Sequence, residues 1–198
     1  MQSRLRRDGG LLKLKKCNAV LGLLTILALF AHMAYNVFAY ATMYYNPTLK
    51  TLTVAPIIVF MCLHAVTGMC SVFLLGDGTR VDPYLRQNRR TVAQRVSAAL
   101  IFPLLIVHMN TFSLLQGSSA AGNWLVFGLL VFAQIAFYAA VCLHVATSFS
   151  RAFITLGLLS SRETQAKIDC VAGVVCACLF LVTTFVVTRG QLAMFIHA

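Results

Sequence analysis

The sequence predicts an all-α integral membrane protein with five transmembrane helices, and three observations carry that fold class. Of 198 residues, 60% are hydrophobic and only 11% are charged, where a soluble domain carries about a quarter charged residues. The mean hydropathy is +0.83. The apolar residues also fall in runs of roughly twenty or more, the length a helix needs to cross a hydrocarbon core of ~30 Å.

Residues 1–16 carry Arg4, Arg6, Arg7, Lys13, Lys15 and Lys16 against Asp8, with Leu5, Leu11, Leu12 and Leu14 interleaved. This pattern predicts a short basic helix lying at anionic headgroups. The apolar run that follows is too long for the core of a cleavable signal, so it is expected to stay in the protein. It forms the first span, 17–43, closed by the interfacial aromatics Tyr40, Tyr44 and Tyr45. Asn46-Pro47 marks a turn.

The second span is expected over 52–75, with Pro56 in its first turns, where a missing amide donor costs least. Gly76-Asp77-Gly78 ends it, and the polar loop 79–90 carries Arg80, Arg86, Arg89 and Arg90. The third span, 92–115, holds Pro103, which should kink it five residues before His108. A charge-free Gly/Ser/Ala loop over 116–123 leads to Trp124. The fourth span, 124–147, continues as an amphipathic helix to about residue 159. Arg162, Glu163 and Lys167 make the next polar loop, and the fifth span, 168–188, is followed by a short tail. All of this is one membrane domain, 1–198.

Charge sets the expected orientation. With five spans, fourteen of the sixteen Lys and Arg residues fall on the N-terminal side, leaving Lys50 and Arg189 opposite. By the positive-inside bias the N-terminus is cytoplasmic and the C-terminus outside. The net charge of +11 therefore reads as topology rather than nucleic-acid binding. The seven cysteines lie in or beside apolar runs without a C-x-x-C pair, which disfavours c-type haem attachment and zinc ribbons.

His32, His64, His108 and His144 place one imidazole in each of the first four spans. An ionisable ring in lipid is costly without a partner, and histidines on neighbouring helices of a bundle are suited to clamping a haem iron. With the expected directions, His32 and His108 fall in the outer half, and His64 and His144 toward the inner half. Two bis-histidine haems stacked across the membrane follow from that pairing. Near the inner pair, Gly68 lies one turn beyond His64, where a missing side chain would let a macrocycle approach. Arg95, Ser97, Ser148 and Arg151 are candidate contacts for inner-haem propionates. His197 reads as a solvated terminal residue.

This pattern resembles the five-helix, two-haem cytochrome b subunit of succinate dehydrogenases and menaquinol:fumarate reductases. That family carries one ligand histidine in each of its first four helices, the first and third on the outer haem and the second and fourth on the inner. His32, His108, His64 and His144 match these roles in order. Gln94-Arg95-Val96-Ser97, with His108 eleven residues after Ser97, is similar to the family's third-helix start, although Ala98 stands where Gly is usual. The resemblance covers residues 15–188.

The resemblance implies a membrane anchor in the bacterial cytoplasmic membrane that carries two b haems. It would pass electrons between a cytoplasmic iron–sulfur and flavoprotein pair and a membrane quinone, with menaquinone implied. Such a chain does not itself transform succinate or fumarate, and the complex can form higher oligomers. Candidate quinone contacts are Asn36, Tyr40 and Asn110. The N-terminal arm and the loops 79–90 and 160–167 offer the docking surface. The acids Asp8, Asp77, Asp82, Glu163 and Asp169 all lie in loops or at span ends, so the buried glutamates that some members use for proton movement have no counterpart. One alternative is a haem b subunit of nitrate reductase, formate dehydrogenase or hydrogenase type, which tends to place two histidines on one helix. Another is a histidine-using proton transporter, which calls for carboxylates inside the spans.

Overall fold

A computed structural model of the chain describes residues 2–75 and 85–197, with side chains over 12–73 and 89–196. Five helices account for nearly all of it: α1 (Gln2–Thr42), α2 (Pro47–Leu75), α3 (Leu85–Ala120), α4 (Trp124–Leu156) and α5 (Arg162–His197). Each contains a stretch long and apolar enough to cross a membrane, of 27 to 35 residues. At 1.5 Å per residue these reach about 40 to 52 Å, so their ends extend beyond a ~30 Å hydrocarbon core into the headgroups.

Polar and apolar residues are distributed inside out relative to a soluble bundle. Phe73, Leu125, Phe132 and Phe185 are 82%, 74%, 71% and 69% exposed, whereas Ser150, Ser97 and Gln191 are 0–2% exposed. Acyl chains solvate the outward apolar residues, while Ser150 and Ser97 turn inward, where they find hydrogen bonds.

The helices are longer than the apolar runs, for identifiable local reasons. The basic arm is not a separate surface helix, because α1 is continuous from Gln2. Its side chains up to Leu11, and Gly76-Asp77-Gly78 with most of loop 79–90, lie outside the described residues, as does the His197 side chain. α2 begins at Pro47, earlier than expected. Asn46 Oδ1 accepts the Leu49 amide at 3.1 Å, and Pro47 occupies the first helical position, where its missing N–H is harmless. Tyr35 clasps the same turn, donating to Asn46 O at 2.8 Å and accepting the Asn46 amide at 2.9 Å. Pro56 is consequently interior to α2.

The expected loop 116–123 is mostly helix. α3 runs to Ala120, helped by Ser118 donating to Leu115 O at 2.9 Å and Ser119 to Phe195 O of α5 at 2.8 Å. Gly122, at φ 60°, then ends it, with its amide on Ser119 O and that of Asn123 on Ser118 O. Gly157, at φ 80°, ends α4 in the same way. Both supply the left-handed residue that this helix stop requires. The expected C-terminal tail is the last three turns of α5.

Successive helices run in opposite directions. α1 packs against α2, α4 and α5, α4 packs against α3 and α5, and α3 also reaches α5. Among the described residues the backbone of α2 packs on α1 alone, while its His64 ring reaches His144 of α4. At the end opposite the start of α1, Leu115, Phe127, Leu130 and Phe195 form an apolar cluster, with Trp124 4.5 Å from Phe195 between ring centres.

Candidate haem site

Within the apolar run of α1, Asn18, Thr25, His32, Asn36 and Tyr40 lie on one stripe, with Gly22 among them. The spacings of three and four residues hold them on a single helix face. The four intramembrane histidines, His32 of this stripe among them, form two groups at different levels. His64 and His144 lie at the N-side, level with Asn18 and Gln94. His32 and His108 lie toward the opposite, C-side end.

At the N-side, the rings of His64 and His144 have centres 6.4 Å apart with planes at 71°. His64 Nδ1 is 3.0 Å from Asn18 O, and His144 Nδ1 is 3.1 Å from Gln94 O. A backbone carbonyl only accepts, so both Nδ1 atoms carry the proton and both Nε2 atoms keep a lone pair. Ser97 Oγ lies 3.4 Å from His144 Nδ1 while donating to Gln94 O at 2.9 Å.

The C-side pair reaches the same tautomer through side chains. His108 Nδ1 donates to Gln134 Oε1 at 2.8 Å, and Gln134 Nε2 in turn donates to Thr111. The His108 ring stacks on Phe137 at 4.7 Å. His32 Nδ1 is 3.3 Å from Thr53 Oγ1. The Thr53 hydroxyl proton already goes to Lys50 O at 2.9 Å, so His32 Nδ1 is the donor. His32 Nε2 then accepts from Asn36 Nδ2 at 2.8 Å.

These donor sets can be tested against a bis-histidine metal. Two metal–nitrogen bonds of about 2 Å, plus about 1 Å from each nitrogen to its ring centre, put the ring centres about 6 Å apart. The N-side pair meets that separation, and its Nδ1–H···O=C bonds are the arrangement that usually supports a ligand imidazole. No backbone of α2 packs on α4, so side chains alone bridge the two ligand-bearing helices. Among the described residues no three His, Cys, Asp or Glu side chains cluster as a metal site. Were an iron held between these two imidazoles, its remaining ligands would have to come from another group, as a porphyrin supplies them. At the C-side, Asn36 Nδ2 already occupies His32 Nε2, so any ligand there would first have to displace that hydrogen bond.

The remaining candidates divide. Arg151 donates to Gln94 Oε1 at 2.7 Å and Thr91 Oγ1 at 3.0 Å, and Ser148 donates to His144 O at 2.6 Å. Ser97 donates into its own helix, so these donors are directed at protein acceptors. Arg95 is half-buried beside them on α3. A Cβ at Gly68 would meet Asn18 Oδ1 at 3.6 Å, an ordinary contact with α1. Asn36 and Tyr40 face the bundle, the latter against Gly190 of α5. Asn110 is exposed and donates to Ile106 O at 2.8 Å.

Several partners escaped the sequence reading. Gln134, 4% exposed within an otherwise apolar run, supports His108. A lone amide in a membrane span is the signal that could have singled it out. Arg90, expected in a polar loop, lies in α3 and turns into the bundle. It donates to Thr147 O and Ser150 Oγ, both at 2.9 Å, and grips Asp169 of α5 with two nitrogens. Its guanidinium thus ties α3, α4 and α5 together just beyond His144.

No known protein family, curated protein or solved structure matches the chain.

Proposed function

We propose that this protein is a membrane-anchor cytochrome b subunit with two bis-histidine b haems. It would relay electrons between an iron–sulfur/flavoprotein succinate dehydrogenase or fumarate reductase and membrane menaquinone. The observation that carries the reading is the His64–His144 pair, with a 6.4 Å ring separation and both Nε2 lone pairs released by Nδ1–H bonds to backbone carbonyls. A haem iron held there supplies reversible one-electron redox chemistry. His64 and His144 are assigned to one haem, and His32 and His108 to the other.

The protein's own residues hold and orient. Asn18 O and Gln94 O fix the N-side rings, while Thr53 and Gln134 fix the C-side rings. The basic N-side is proposed to face the cytoplasm of a bacterium and to dock the iron–sulfur subunit. Quinone is assigned to the C-side, near Asn36 and Tyr40.

The test is to purify the chain with its co-purifying subunits, and to count haem by pyridine haemochrome and flavin by fluorescence. The expected result is two b haems per chain, reduced by succinate or oxidised by fumarate. A colourless protein overturns the proposal. Two haems without flavin-containing partners would transfer the chain to a different respiratory complex.

A further inference from the structure

His64 projects from a helix that packs on α1 alone among the described residues. Apart from the facing His144 ring of α4, the contacts that orient its ring come from α1 and from its own helix. Two residues of α1 contact it from the same face. Asn18 O accepts the Nδ1–H at 3.0 Å. One turn later, Gly22 lies under the ring edge. A Cβ at Gly22 would stand 3.0 Å from His64 Cε1 and 3.2 Å from Nδ1, closer than an alanine methyl and an imidazole normally approach. Asn18 also fixes α2 through its side chain, because Thr67 Oγ1, three residues after His64, donates to Asn18 Oδ1 at 2.8 Å.

The opposing ring is held from another helix, with His144 Nδ1 on Gln94 O of α3. The 71° between the two imidazole planes is thus set by two separate helix pairs, α1–α2 and α3–α4.

We propose that Gly22 and Asn18 are positioning residues: the bare backbone at 22 and the carbonyl at 18 set the rotation of the His64 ring, and hence the angle between the two N-side imidazole planes. The inference rests on the two-haem reading. In a bis-imidazole haem that angle controls the splitting of the iron d orbitals. It is read directly in the low-spin ferric EPR spectrum, with crossed planes giving one strongly anisotropic low-field line. It also tunes the midpoint potential.

The experiment uses the full chain in its purified complex, recording EPR of the oxidised protein and a potentiometric titration of the haem bands. The N-side signal is identified as the one lost in His144→Ala. Gly22→Ala is expected to keep two haems per chain while shifting the N-side EPR line and midpoint, with the C-side signal unmoved. Gly22→Val should lose the N-side haem alone, one of the two. Thr67→Val should shift the same N-side signal by less. Gly128→Ala and Gly173→Ala add a methyl where nothing lies within 4 Å, and should leave both signals in place.

An N-side signal unmoved in Gly22→Ala overturns the inference while leaving the haem reading intact. So does an equal shift at both haems, or loss of both, since either reports a general disturbance of the bundle. A colourless wild-type chain overturns the proposed function first, and this inference with it.

Discussion

The two histidine pairs are built from the same residue type in the same tautomer, yet they are held by different means. At the N-side both Nδ1 protons go to backbone carbonyls, Asn18 O and Gln94 O. At the C-side they go to side chains, Thr53 and Gln134, and one Nε2 is capped by Asn36. A carbonyl inside a helix cannot swing, so the N-side rings are preorganised with their lone pairs exposed. A side-chain partner keeps its own rotamers, so the C-side pair can exchange a hydrogen bond for a ligand. Preorganisation by a rigid shell is what separates a ready site from one that must rearrange.

The largest effects should come from the ligands themselves. His64→Ala or His144→Ala is expected to remove one haem per chain completely and leave the C-side spectrum in place. His32→Ala or His108→Ala should do the reverse. Redox difference spectra check this, and a variant that keeps both spectral components would break the pairing.

Next comes the clamp behind the N-side pair. Arg90→Gln leaves Asp169 without its ion pair and Thr147 O and Ser150 Oγ without their donor. The two charged side chains are 23% and 26% exposed. The cost is therefore expected below that of a fully buried pair, at about 2 kcal/mol. Thermal unfolding in detergent should show a lower midpoint, and an unchanged midpoint would mean the clamp is not holding α5.

Gln134→Leu takes the acceptor from His108 Nδ1 and strands a buried donor, for about 1 to 3 kcal/mol. The loss should appear in the retention of the C-side haem and leave the N-side haem alone. Equal loss at both sites would blur the distinction between the pairs.

The smallest effect has the opposite sign. Asn36→Leu removes the hydrogen bond that competes for His32 Nε2. At about 1 kcal/mol for one such bond, haem should bind the C-side site roughly fivefold more tightly. Haem titration of the depleted protein measures it, and weaker binding would show that Asn36 supports the ligand rather than blocking it.

The sequence by itself determined the helix number, the order of the spans and the four polar outliers within them. Lipid forces every spanning segment into a helix, so hydropathy and length suffice to place one. The levels of the histidines followed from counting residues along helices of alternating direction. Helix ends were less legible: Ser118, Ser119, Gly122 and Asn46 extend or stop the helices through hydrogen bonds that composition does not show.

Tertiary packing alone decided what the polar outliers do. Periodicity puts Asn18, Gly22 and His32 on one face of α1, but does not say that Asn18 offers its carbonyl to His64 or that Gly22 admits the ring. Nor does it turn Arg90 inward to Asp169. Which nitrogen carries the proton, and which donor reaches it, depends on rotation and rotamer choice set by a neighbouring helix. Those degrees of freedom lie across the chain rather than along it.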